Sequence, residues 1–167
     1  MKMAGLLLIA LSCSMTGIYM ASKLWDRIRR LEECDALLGE MIHRMRYLTP
    51  TTGALIGSLC GQERFGQLTF LHRCRALLLE GDSVEQAWRT ALKEEEKTLG
   101  REGCELLAGL ADVLGRTDLE SQLDALAGVR NLLADRCAGL REQAEKKSGL
   151  YRTMGVLCGA ALVILLI

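Results

Sequence analysis

Apolar and polar positions divide the chain into a long uncharged run at each end and a periodic middle. From Met3 to Ser22, twenty consecutive residues carry no charge, and from Met154 to Ile167 another fourteen carry none. The first run can span a bilayer core of about 30 Å as a helix rising about 1.5 Å per residue. The second is only about 21 Å long. It reaches about 30 Å when extended back to Ser148, with Arg152 snorkelling towards the headgroups and Tyr151 placed for the interface. After the first run, Leu24, Ile28, Leu31, Asp35, Leu38, Ile42 and Met45 recur at spacings of four and three, an apolar seam broken by Asp35 alone. This predicts a helix continuing to about Leu48, where Thr49-Pro50 stops it. Before the second run, Leu119, Leu123, Leu126, Arg130, Leu133, Cys137, Leu140 and Ala144 keep the same rhythm and predict a second long helix entering the tail. Two arms of matching length, each with one end at a membrane, predict an antiparallel pair with Leu48 and Leu119 at the far end.

Shorter helices are predicted between the arms. They run from about Thr52 to Cys60, Phe65 to Leu79 and Arg101 to Leu114, with one more carrying Val84, Ala87, Trp88 and Ala91. Ser83-x-x-Gln86 after Gly81-Asp82 has the spacing of a capping box, and Thr117-x-x-Glu120 repeats it after Gly115 to open the second arm. Trp88, at helical spacing with its apolar neighbours, reads as core. Gly53, Gly57 and Gly61 suit either a close packing face or a weak, loop-like helix. No stretch reads as a strand, so the chain is expected to be all-α.

Charge decides topology. Lys23, Arg27, Arg29 and Arg30 follow the first run, while Arg141, Lys146, Lys147 and Arg152 precede the end of the second. By the positive-inside rule both flanks hold the middle in the cytoplasm. A cleaved signal peptide competes, but it would want its cations ahead of the apolar core, where only Lys2 and the amino terminus stand. The expected division is an N-terminal transmembrane helix over residues 1–22, a cytoplasmic helical domain over 23–147 and a C-terminal transmembrane helix over 148–167. Gly17-x-x-x-Ala21 and Gly155-x-x-x-Gly159 place small residues one turn apart, which would let the spans pack together or against a second copy in a homo-oligomer.

The remaining chemistry is sparse. Twenty-one Lys and Arg balance 21 Asp and Glu, so no basic footprint for nucleic acid appears. Seven cysteines, none in a Cys-x-x-Cys pair, read as free buried thiols of a reducing compartment. His43 and His72 lack metal-ligand spacing. Phosphate-loop, metalloprotease and nucleophile-elbow motifs are absent, so neither a catalytic residue nor a cofactor is expected. The turn Gly115 to Asp118 lies at the far tip of the arms. Arg116, Asp118 and Gln122 are therefore candidates for binding a partner there, although Gly115 with Thr117 or Asp118 could equally cap the two helices.

Read in order, "GIYMASKL" (Gly17 to Leu24), "YLTP" (Tyr47 to Pro50), "GDSVEQAW" (Gly81 to Trp88), "LGRTDLESQ" (Leu114 to Gln122) and "KKSGLYRTMGVLCG" (Lys146 to Gly159) strongly resemble the stage III sporulation protein AB family of endospore-forming bacteria. The resemblance covers nearly the whole chain. It marks Tyr47, Pro50, Gly81, Ser83, Trp88, Gly115, Tyr151 and Arg152 as structural motif residues. It also implies a membrane component of the channel complex between mother cell and forespore, with a helical domain similar to type II secretion platform proteins. Other stage III sporulation channel proteins and a secretion-type ATPase are the implied partners. A generic membrane-anchored adaptor would need the same spans and helices. One departure is Thr51-Thr52-Gly53 after Pro50, where the family usually has a leucine-rich, more helix-favouring start.

Overall fold

The computed structural model describes the backbone of residues 2–48 and 51–166 and the side chains of residues 22–48 and 51–146. Thr49-Pro50 and the side chains of residues 1–21 and 147–167, Tyr151 and Arg152 among them, lie outside the described residues. Among the described residues seven α-helices run in the order α1 (Lys2–Leu48), α2 (Thr52–Cys60), α3 (Thr69–Glu80), α4 (Val84–Glu94), α5 (Glu96–Leu99), α6 (Arg101–Ala108) and α7 (Leu119–Leu166). Short 3₁₀ turns cover Glu63–Phe65 and Gly109–Asp112, and no strand occurs among the described residues. The chain is all-α, and both long helices form where the seams place them. Among the described residues, no helix is long and apolar enough to cross a membrane.

The chain divides into two compact units: residues 1–28 with 138–167, and residues 29–137. In the first, Ile28, Leu140 and Ala144 are buried and Trp25 is 43% exposed. Lys146 pairs with Glu142 one turn earlier at 2.6 Å.

In the second unit the long helices run antiparallel. Arg130 of α7 donates through Nε to Asp35 Oδ1 of α1 at 3.0 Å and through Nη2 to Asp35 Oδ2 at 3.4 Å. A Cβ on Gly39 would sit 3.4 Å from the Arg130 guanidinium carbon. Five residues back along α1 from Gly39, Cys34 lies close enough to Cys137 for that thiol to bear on its ionisation. Neighbours on α7 thus advance as α1 is followed backwards. The single polar break in each seam meets the other, so neither charge is left alone. Around this pair Leu31, Cys34, Leu37, Leu38, Met41 and Met45 face inwards from α1, and Leu126, Leu133 and Cys137 from α7. Each large apolar side chain so buried contributes about 1.5–3 kcal/mol.

The buried stripe of α1 is broader than its seam because the short helices also pack on it. Gly103 of α6 comes so close that a Cβ there would lie 2.7 Å from Leu31 Cδ2, and Arg136 of α7 pairs with Glu102 of the same helix. At the other extreme the seam fades: Ile42 and Leu123 are half-buried and Leu119 is exposed.

The short helices hold the largest buried side chains. Trp88 is fully buried, stands edge-on to Phe70 at 5.5 Å between ring centroids and donates through Nε1 to the Leu107 carbonyl at 2.8 Å. Two expected helices are shorter than their patterns. The helix expected from Phe65 begins at Thr69, because Gly66 weakens its first turn and Arg30 of α1 takes the Gln67 carbonyl at 2.9 Å. The helix expected to reach Leu114 ends at Ala108, and the tighter 3₁₀ turn after Gly109 lets the adjacent Leu110 and Ala111 both bury. Helix α2 forms despite its glycines, with the Thr51 hydroxyl accepting from the Ala54 amide. Nothing approaches the Gly53 or Gly57 positions within 4 Å, so within the described chain they serve no helix crossing.

The cysteines at 34, 60, 74 and 104 are free thiols, and these four and Cys137 are buried. Burial pushes the Cys34 and Cys60 thiols up, Cys74 to about 12 and Cys104 to about 11, so these thiols stay protonated and unreactive at neutral pH.

Candidate docking surface

Three segments meet where α7 begins. Gly115 takes φ +77°, a left-handed conformation that glycine adopts without strain. A Cβ there would stand 3.3 Å from Thr52 Oγ1 and 4.0 Å from Val84 Cγ2. The turn is therefore seated on the first residues of α2 and α4. Gly81, with φ +104°, closes α3 in a Schellman motif in which the Asp82 amide donates to the Leu77 carbonyl at 3.1 Å. Ser83 then caps α4, its hydroxyl accepting from the Gln86 amide at 3.3 Å.

The cap of α7 is Asp118, not Thr117. Asp118 accepts from the Ser121 amide at 3.0 Å and from the Ser121 hydroxyl at 2.7 Å. These two donors hold its carboxyl below the usual carboxylate range. The Thr117 hydroxyl instead donates back to the Val113 carbonyl at 3.2 Å, so the Thr117-x-x-Glu120 capping box does not form. One residue more of loop is needed to turn the chain from Val113 into α7, which moves the cap to the next oxygen-bearing side chain.

Gln122 is buried, at 8% exposure, and its amide spans the turn from below. Its Oε1 accepts from the Gly115 amide at 3.3 Å and its Nε2 donates to the Thr117 carbonyl at 2.7 Å. Arg116 and Asp118 remain at the surface. Arg116 donates to Glu85 Oε2 of α4 at 2.7 Å; Glu85 lies 3.7 Å from Arg89, which donates to both oxygens of Asp112 at 2.7 Å. A chain of four charges, Arg116, Glu85, Arg89 and Asp112, thus ties the turn to α4. Sequence reasoning did not find Glu85, Arg89 and Asp112. The i, i+4 spacing of Glu85 and Arg89 signals one link, but Asp112 and Arg116 join it through tertiary packing alone.

Of the other family-motif residues, Tyr47 is exposed and leans on His43 at 4.8 Å between ring centroids. Trp88 lies in the core, and Pro50, Tyr151 and Arg152 lie outside the described side chains. A groove of about 430 Å³ between α4 and α6 has Leu92 and Cys104 on its floor. Its Arg101 is engaged by Glu105 at 2.7 Å and its Arg89 by Asp112. Among the described residues no group of three or more His, Cys, Asp or Glu side chains could hold a metal ion.

In comparison with known proteins, the family model described as stage III sporulation protein AB matches residues 2–167. That family acts in sporulation and is not known as a family of enzymes. No curated protein and no solved structure matches the chain.

Proposed function

The chain belongs to the stage III sporulation protein AB family, and from that premise we propose that it is a non-enzymatic membrane platform in the channel complex between mother cell and forespore. The supporting observation is the pair of uncharged runs, each flanked by cations on its inner side and each joined to the central domain by one long helix, α1 or α7. A domain tied to the bilayer at both ends suits a fixed platform; a generic membrane-anchored adaptor would need the same spans, and family membership is what favours the channel component. The domain lies on the mother-cell side and takes the place that a platform protein holds in type II secretion. In this reading its partners are other stage III channel proteins and a secretion-type ATPase.

The turn Gly115 to Asp118 is the proposed docking point. Arg116 and Asp118 present opposite charges at its surface, and Gln122 fixes the backbone that carries them. Partner recovery from sporulating cells separates docking from capping. Asp118→Asn keeps a side chain that caps as well as Asp, and Arg116→Ala leaves the turn's backbone bonds in place. Docking through charge predicts that both variants fold normally, lose the partner and block sporulation. Normal sporulation with unchanged partner recovery in both would leave the turn a purely structural element.

A further inference from the structure

A formal net charge of zero conceals a segregation between the two compact units. Residues 29–137 hold 14 Lys and Arg against 18 Asp and Glu, whereas residues 1–28 with 138–167 hold 7 against 3. The basic unit is the one that carries both uncharged runs. Its Trp25 is 43% exposed although it is the larger of the apolar side chains there, and it follows the last residue of the first run by one turn of α1. An exposed indole beside cations, directly after twenty uncharged residues, has the amphipathic character of a residue at headgroup depth. Lys23 is exposed and Arg27 half-buried on the same helix. Lys146, though paired with Glu142, keeps its side chain 74% exposed. The acids that oppose them in this unit are Asp26, Glu142 and Glu145.

We propose that Lys23, Trp25, Arg27 and Lys146 form a collar that selects anionic phospholipid headgroups at the cytoplasmic leaflet. The proposal rests on the membrane-spanning reading above and adds to it a lipid preference, which topology alone does not require. Juxtamembrane cations attract anionic lipid within about one Debye length of the surface. Trp25 favours lipid over an acidic protein face as the occupant, because its ring has apolar surface to bury at the edge of the hydrocarbon.

The full chain, reconstituted in phosphatidylcholine vesicles carrying a trace of spin-labelled lipid, tests this by electron paramagnetic resonance. The fraction of label slowed at the protein boundary is compared for phosphatidylglycerol and phosphatidylcholine. The collar predicts a preference for phosphatidylglycerol of about threefold at low salt, falling towards unity in the Lys23→Gln, Arg27→Gln, Lys146→Gln triple variant and in high salt. Equal slowing of both lipids by the wild-type chain would overturn the collar while leaving the spans intact. Persistent preference in the triple variant would overturn its assignment to these residues. Absence of a slowed component for either lipid would overturn the spans themselves, and the collar with them.

Discussion

The paired long helices and the short helices packed against them are held in different ways. In the long pair, burial is spread along a repeating seam, and one ion pair, Asp35 with Arg130, stands where both seams are interrupted. In the short layer, stability concentrates in a few large groups such as Trp88 and in the side-chain caps that open α2 and α4. Periodicity supplies the first kind of order. The second depends on particular side chains reaching particular backbone atoms. A polar residue is therefore tolerated in the long pair where its opposite faces it, and a single lost group in the short layer has no neighbour to share the cost.

The largest expected effect is on the seam. Leu38→Asp or Leu126→Asp places a carboxylate without a partner at a fully buried position, and should destabilise the fold by about 4 kcal/mol or more. Urea denaturation of the full chain measures it, and wild-type midpoints for both variants would show that the seam is not core. Trp88→Ala comes next. It should cost about 3–5 kcal/mol through the cavity and the lost bond to the Leu107 carbonyl.

The Asp35–Arg130 pair is partly exposed, so a double-mutant cycle should assign it only about 0.2–1 kcal/mol. Its larger value is in register, since sliding α1 past α7 would set both charges against apolar neighbours. Exchanging the two, Asp35→Arg with Arg130→Asp, should restore much of what either single exchange loses. Equal stability in all four chains would remove the register role.

The smallest effect concerns the cap. The Asp118 carboxyl is held low by Ser121, so its contribution is present above the usual carboxylate range and is lost as pH falls through its lowered value. Asp118→Asn should keep the cap and flatten that acid-side loss in thermal melts, while Asp118→Ala loses the cap at every pH.

Much of this difference could be read in the sequence. The three-four spacing from Leu24 to Met45 and from Leu119 to Ala144 located both long helices, because a seam repeats its signal over many turns. Ser83 and Gly81 were legible as punctuation because their roles are local. Thr117 was not, since choosing between two adjacent oxygen-bearing side chains depends on how the loop from Val113 is seated on Thr52 and Val84. The early break before Thr69 depends on Arg30, more than thirty residues away in sequence. For the candidate site, Arg116 and Asp118 stand at the surface turn, but the inward set of Gln122 and the link from Glu85 through Arg89 to Asp112 are products of tertiary packing.

The central claim is that both ends of the chain cross the membrane and leave the middle in the mother-cell cytoplasm. Compartment-sensitive reporters fused at each end and inserted near Gly81 test it most directly in sporulating cells. The account predicts a cytoplasmic signal only from the reporter near Gly81, and a cytoplasmic signal from the C-terminal fusion would contradict it.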